Sequence, residues 1–206
     1  MFIGIGTPIP TIANLPGSSR PGGGSGGGGG LDQIANNYSM EFNGVDDFID
    51  IGSVSFGVNS TLSFWCFYTS NDSVLFGNGS YYTVYFLGTS VYYRSGGQLW
   101  SSVLTKDTWL HLAFVRSGDI VELFINGVSQ GTNTGNGTTT PTTITTIGAK
   151  ATSQYFYEGK IDEVAFWNTA LEASDVQAIY DATDTNLTAD LSLMATPPVA
   201  WYRMGD

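Results

Sequence analysis

From residue 38 to about residue 168 the chain alternates apolar and polar residues with a period of two, in short runs separated by Gly, Asn and Asp. Side chains repeat every two residues along a strand, so this pattern places them on opposite faces of a sheet. Thr61–Thr69 sets Leu62, Phe64, Cys66 and Tyr68 against Ser63, Trp65 and Phe67. Trp109–Arg116 sets Trp109, His111, Ala113 and Val115 against Leu110, Leu112 and Phe114. Asp119–Ile125 runs into Asn126-Gly127, the pair that a type I′ hairpin turn favours. Turn signals about every 8–12 residues predict antiparallel strands folded into a sandwich or barrel. One helix is predicted over Glu172–Ala182, with Leu171, Val176, Ile179 and Tyr180 as its apolar stripe and Glu172 or Ser174 as its cap.

Charge narrows the partners. Among 206 residues there are 7 Lys and Arg against 18 Asp and Glu, a formal net charge of −11. Binding to nucleic acid needs a basic face, and there are too few cations to build one. Anionic lipid is disfavoured for the same reason. No apolar run approaches the roughly 20 residues that span a bilayer, so no membrane insertion is expected. Cys66 is the only cysteine, which excludes an intrachain disulfide and leaves the redox compartment unread. The first cation is Arg20, so a basic secretory leader is not expected.

Three segments are predicted: an N-terminal arm and linker over 1–37, the strand-rich domain over 38–182, and an extension over 183–206. Within the last, Val199–Met204 reads as the opening of a further element. In the arm, eight of the nine residues 22–30 are glycine, and such a run does not order itself. No Gly-Lys-Ser/Thr follows it, which excludes a phosphate-binding loop. One reading of the arm is a flexible linker. The other is an anchor: Phe2, Ile3 and Ile5 form an apolar tip, Pro8 and Pro10 stiffen the stem, and the tip docks on other subunits or on further copies of the chain.

Four stretches resemble laminin G-like domains of the concanavalin A-like superfamily. They are Phe42–Gly52; Thr61–Phe67; Thr108–Val115 with Glu122–Gly127; and Ile147–Ala149 with Tyr157–Trp167. Their order and spacing match over residues 38–182. The resemblance implies an all-β antiparallel jelly-roll β-sandwich with one short C-terminal helix, here preceded by an extended N-terminal arm. Pro197–Asp206 is similar to junctions between such modules in structural proteins of marine, cyanophage-like bacteriophages.

The chemistry-bearing residues are few. His111 is the only histidine and lies mid-strand, where a packed histidine is expected rather than a nucleophile's base. Cys66 is expected as a buried, inert thiol. Laminarinase-type glycoside hydrolases of this superfamily carry Glu-x-Asp-x-x-Glu on one strand, which aims all three acids into a cleft. Glu158, Asp162 and Glu163 come nearest and have the wrong spacing, so no enzyme is expected. Asn43, Asp46, Asp47 and Asp162 are candidate calcium ligands, because relatives bring these elements together; the alternative is that Asp46 and Asp47 only shape a turn. Tyr81, Tyr82, Tyr85, Tyr92, Tyr93 and Trp100 cluster in the middle strands. From them Tyr82, Tyr92, Tyr93 and Trp100, with Arg94 and Gln98, form a candidate glycan site.

The expected function is a non-catalytic structural or adhesion module of an assembled particle or fibre, such as a virion appendage, held by its arm. A free carbohydrate-binding or adhesin domain at an extracellular or cell surface is the alternative, and a glycoside hydrolase the distant one.

Overall fold

A computed structural model describes residues 12–14, 30–94, 98–100, 104–134, 142–151, 154–184 and 186–205. In chain order the first strands are β1 (Ile12–Asn14), β2 (Gln33–Ala35), β3 (Tyr38–Asn43), β4 (Ile49–Phe56), β5 (Asn59–Tyr68) and β6 (Asp72–Gly77). Then follow β7 (Tyr82–Leu87), β8 (Ser90–Arg94), β9 (Gln98–Trp100), β10 (Leu110–Ser117), β11 (Ile120–Ile125) and β12 (Val128–Thr134). The last are β13 (Thr142–Ile147), β14 (Ala149–Ala151), β15 (Gln154–Phe156), β16 (Glu158–Trp167), β17 (Leu187–Ala189) and β18 (Ala200–Tyr202). Helix α1 spans Ala173–Asp181.

Two antiparallel sheets make the sandwich. One has eight strands, ordered β1-β3-β16-β5-β10-β11-β12, with β18 also on β16; the other has six, ordered β4-β13-β6-β7-β8-β9. Phe64, Phe76, Phe114 and Phe166 meet between them, with Tyr68 stacked on Phe86 at 4.6 Å and Tyr93 on Phe114 at 5.0 Å. The β-sandwich is as the alternation predicts, and α1, the one α-helix among the described residues, lies where the apolar stripe predicts it. Asn126 and Gly127 both take positive φ, 52° and 77°, as a type I′ turn requires. Asn126 does more than turn the chain. Its side-chain oxygen accepts the His111 N–H at 2.9 Å, while its own N–H donates to the His111 carbonyl at 2.8 Å.

The central strands β16, β5 and β10 of the large sheet are buried on both faces. The outer side of this sheet packs Ala113, Val115, Ala165 and Trp167 against Leu171, Val176 and Ile179 of the helical segment and against Ala189, Leu191 and Met194 beyond it. At the start of α1 the Asp175 carboxylate accepts the Glu172 N–H at 3.3 Å. Trp109 and His111 are buried as expected, at 5% and 0% exposure. Trp109 meets Phe67 edge-on at 5.9 Å on the outer side of the sheet. Trp109→Ala should cost about 3 kcal/mol in urea unfolding, the low end for truncating a buried aromatic. A loss below about 1 kcal/mol would place the ring outside the packed layer.

The chain termini depart from the predicted division. Strand β17 pairs with β2, and β18 pairs with β16 through Val164–Phe166. Hydrogen-bonded ladders therefore cross both expected boundaries, and residues 183–205 return to the sandwich instead of leading away from it. Their polar sequence hides this because Thr183 and Thr188 are buried, Thr183 donating its hydroxyl to the Ile179 carbonyl at 3.3 Å and Thr188 lying in the β17–β2 ladder. In the arm, Ile12–Asn14 lies antiparallel to Tyr38–Met40 as an edge strand of the large sheet. Phe2, Ile3, Ile5, Pro8 and Pro10 lie outside the described residues.

Candidate functional site

Strand β8 and the Val84–Leu87 part of β7 alternate, while a register shift against β6 beside Thr83 brings Tyr82 to the same side as Tyr85. Val84, Phe86, Val91 and Tyr93 enter the core, so Tyr85 and Tyr92 face outward from the six-stranded sheet. Tyr93 thus leaves the predicted glycan set: it is 1% exposed and packs on Phe114. Adjacent residues of a strand cannot share a face, and Tyr92 takes the outward position.

Four outward rings form a row. Tyr85 and Tyr92 are register partners and stack at 4.9 Å with planes 9° apart. Tyr82 lies 5.2 Å from Tyr85 and meets Tyr155 edge-on at 5.4 Å. A hydrogen bond with Tyr155, together with partial burial, pushes the Tyr82 phenol above its ordinary range. On β9, the neighbouring strand, Trp100 is the backbone register partner of Tyr92, and Gln98 that of Arg94. The row's cations lie near Tyr82. Lys150 Nζ stands 5.2 Å from the Tyr82 centroid and 5.5 Å from that of Tyr155, and the Arg94 guanidinium lies 5.6 Å from the Tyr81 ring.

Tyr155 and Lys150 were not foreseen as site residues. They arrive on the β14–β15 hairpin, which settles against β6 because residue 77 is glycine. A Cβ there would stand 2.2 Å from the Lys150 carbonyl oxygen. The Gly79 N–H then donates to that same oxygen at 3.0 Å. Gly77 was the available signal, but a close backbone approach has no periodicity to betray it.

The candidate calcium ligands do not meet at one point. Asn43 Oδ1 accepts the backbone N–H groups of Val45, Asp46 and Asp47 at 2.8, 3.1 and 3.3 Å. Its amide donates to Asp46 Oδ1 at 2.8 Å, and its own N–H donates to Asp47 Oδ2 at 3.0 Å. These three residues close the turn between β3 and β4. Burial pushes the Asp47 carboxyl above the ordinary carboxylate range. Asp162 lies four positions beyond Glu158, the register partner of Asn43, which is about 13 Å along the strand. The set as predicted therefore does not fit a Ca²⁺ ion.

Asp162 and Glu163 serve the fold. Asp162 accepts the Asn36 side-chain amide at 3.2 Å and the Glu163 N–H at 2.8 Å. Glu163 sits at a bulge in β16 with φ 51°. Its carboxylate accepts the Trp201 indole N–H at 2.7 Å and lies 3.5 Å from Arg203 Nε. His111 Nε2 and Ser63 Oγ are 2.8 Å apart, sealed beneath the rings of Trp65 and Tyr180. Burial holds the Cys66 thiol far above its usual range.

Two face-packed antiparallel sheets with a row of outward aromatic side chains define a lectin-like sandwich. The family model of the concanavalin A-like lectin/glucanases superfamily, of the laminin G type, matches residues 43–177, and the chain belongs to that family. Comparison with curated protein sequences returns no match. Domain 4 of AbnA, an extracellular arabinanase from Geobacillus stearothermophilus solved with arabinotriose, is similar at 20% identity and TM-score 0.54, covering 74% of this chain and 82% of that one. A Bacteroides ovatus protein proposed to bind carbohydrate is similar at 12% identity and TM-score 0.61; the match covers 84% of this chain and about half, 52%, of that one. A heptameric pentraxin from Limulus polyphemus is similar at 14% identity and TM-score 0.53, covering 81% and 91% of the two chains. At such identities the likeness is one of fold.

Proposed function

We propose that this chain is a non-catalytic carbohydrate-binding module that lays a saccharide along the Tyr155–Tyr82–Tyr85–Tyr92 row. The row itself carries the reading. Sugar rings present C–H faces that pack on aromatic planes, and outward tyrosines also offer hydroxyls for orienting hydrogen bonds. The fold supports the ligand class, since it is shared with a domain solved with arabinotriose and with a protein proposed to bind carbohydrate. The non-catalytic part is supported by Asp162 and Glu163, whose carboxylates are buried and committed to Asn36, Trp201 and Arg203.

The assembled-particle alternative, a virion appendage held by its arm, leans on residues outside the described set. The described piece of the arm lies on the chain's own sheet. That favours a free module working at an extracellular or cell surface.

Tyr85→Ala and Tyr92→Ala should each weaken saccharide binding about tenfold, or about 1.4 kcal/mol. Val128→Ala, at an exposed position of the other sheet, should leave it unchanged. An array of oligosaccharides followed by calorimetry on the best binder checks this. Binding that survives both tyrosine changes would move the site elsewhere.

A further inference from the structure

The tyrosine row is charged at one end, and this refines the reading above, on which it rests. The chain holds 7 cations against 18 acids, and two of those seven, Lys150 and Arg94, stand at the Tyr82 end of this face. Neither has a carboxylate partner among the described residues. The other described cations lie away from this row. Lys106 donates to Asn71, Arg116 to the Gly118 carbonyl, Lys160 sits over Phe67, and Arg203 pairs with Glu163. Among the described residues the same face carries two acids: Asp72 at its far end, across the ladder from exposed Leu87, and Asp50 on edge strand β4, which the register through Thr146 and Gly77 places three strands across from Tyr82. Along β7 and β8, where the row lies, the face is therefore polarised, cationic beside Tyr82 and acidic beyond Tyr85, with Asp50 three strands away on the opposite edge.

A cation held against a ring keeps most of its N–H donors free for a ligand, three on Lys and five on Arg. Charge-assisted bonds from such donors are about twice as strong as neutral ones. We propose that this face selects acidic saccharides, sugars bearing carboxylate or sulfate. Their rings stack on Tyr82, Tyr85 and Tyr92 with the acid group at the Lys150 and Arg94 end. Loose attraction of any polyanion is not a rival account. The chain as a whole carries −11, so its net field opposes a polyanion, and only within about a Debye length, about 8 Å at 0.15 M salt.

The test is calorimetry on the full chain at 0.15 M salt with three probes of equal length: an oligogalacturonate, a sulfated galactan oligosaccharide and a neutral galactan oligosaccharide. The expected result is at least a tenfold preference for one acidic probe over the neutral one, and the preferred probe names the acid group. In the Lys150→Gln/Arg94→Gln double variant the acidic-to-neutral ratio should fall to near one, with the melting curve confirming an intact fold. Equal affinity for acidic and neutral probes, or a preference untouched in the double variant, overturns the acidic selectivity and leaves saccharide binding standing. Failure of all three probes to bind overturns the selectivity; failure of the wider oligosaccharide array as well overturns the carbohydrate reading beneath it.

Discussion

A chain ended at Ala182 is expected to lose the cooperative sandwich, even though the family match stops at residue 177. Residues 183–205 supply what two faces of the protein need. Trp167, 0% exposed, donates its indole N–H to the Thr196 carbonyl at 3.0 Å and packs with Ala189, Leu191 and Met194. Tyr202 meets Phe166 edge-on at 6.2 Å, and Met204 belongs to the main core. Strand β18 satisfies the edge of β16 beyond the point where β3 leaves it. Removing the segment would expose Trp167 and leave Glu163 without Trp201 and Arg203. Each fully buried large side chain contributes about 1.5–3 kcal/mol, and a domain is stable by only about 5–15 kcal/mol. Losing several such side chains together is comparable to the whole. Thermal melts followed by circular dichroism check this. A truncated chain melting within a few degrees of the full one would show that the extension only decorates the domain.

The sequence was most legible where one periodicity ran through a long segment. Trp109–Arg116 separates its two faces as the alternation says, and Asn126-Gly127 turns as its residue types require. The helix was also legible, with Val176 and Ile179 buried as the stripe predicts. Legibility failed where a contact has no period. Leu187–Ala189 is a three-residue strand in a polar stretch, and it pairs with a segment more than 150 positions earlier. Nothing local marks such a pairing. At the candidate site, alternation separates Tyr92 from Tyr93 but does not say which one faces the core. That choice follows from register with β7, which places Tyr92 beside Tyr85 and Tyr93 beside Val84. Lys150 and Tyr155 were invisible because a hairpin distant in sequence carries them onto the row.

Gly159→Ala should cost about 2–6 kcal/mol, a large loss for a change that removes no contact. Gly159 sits mid-sheet on β16, paired with Phe42 of β3 on one side and Tyr68 of β5 on the other. Its φ is +140°, a region that residues with a Cβ rarely adopt, and a Cβ built there would lie 2.1 Å from the Phe67 carbonyl oxygen and 3.0 Å from Tyr68 Cα. Both close atoms belong to backbone held in the sheet, so neither can rotate away as a side-chain tip would. The backbone strain alone is about 1–3 kcal/mol, and forcing the strands apart adds about 1–3 kcal/mol of overpacking. Gly88→Ala separates the two effects. Gly88 has φ +62° but nothing within 4 Å of its would-be Cβ, so it should lose only about 1–2 kcal/mol from the left-handed backbone. Urea unfolding of the two variants gives the comparison directly. A Gly159 variant no weaker than the Gly88 variant would mean that β16 and β5 lie farther apart than the hydrogen-bonded register places them.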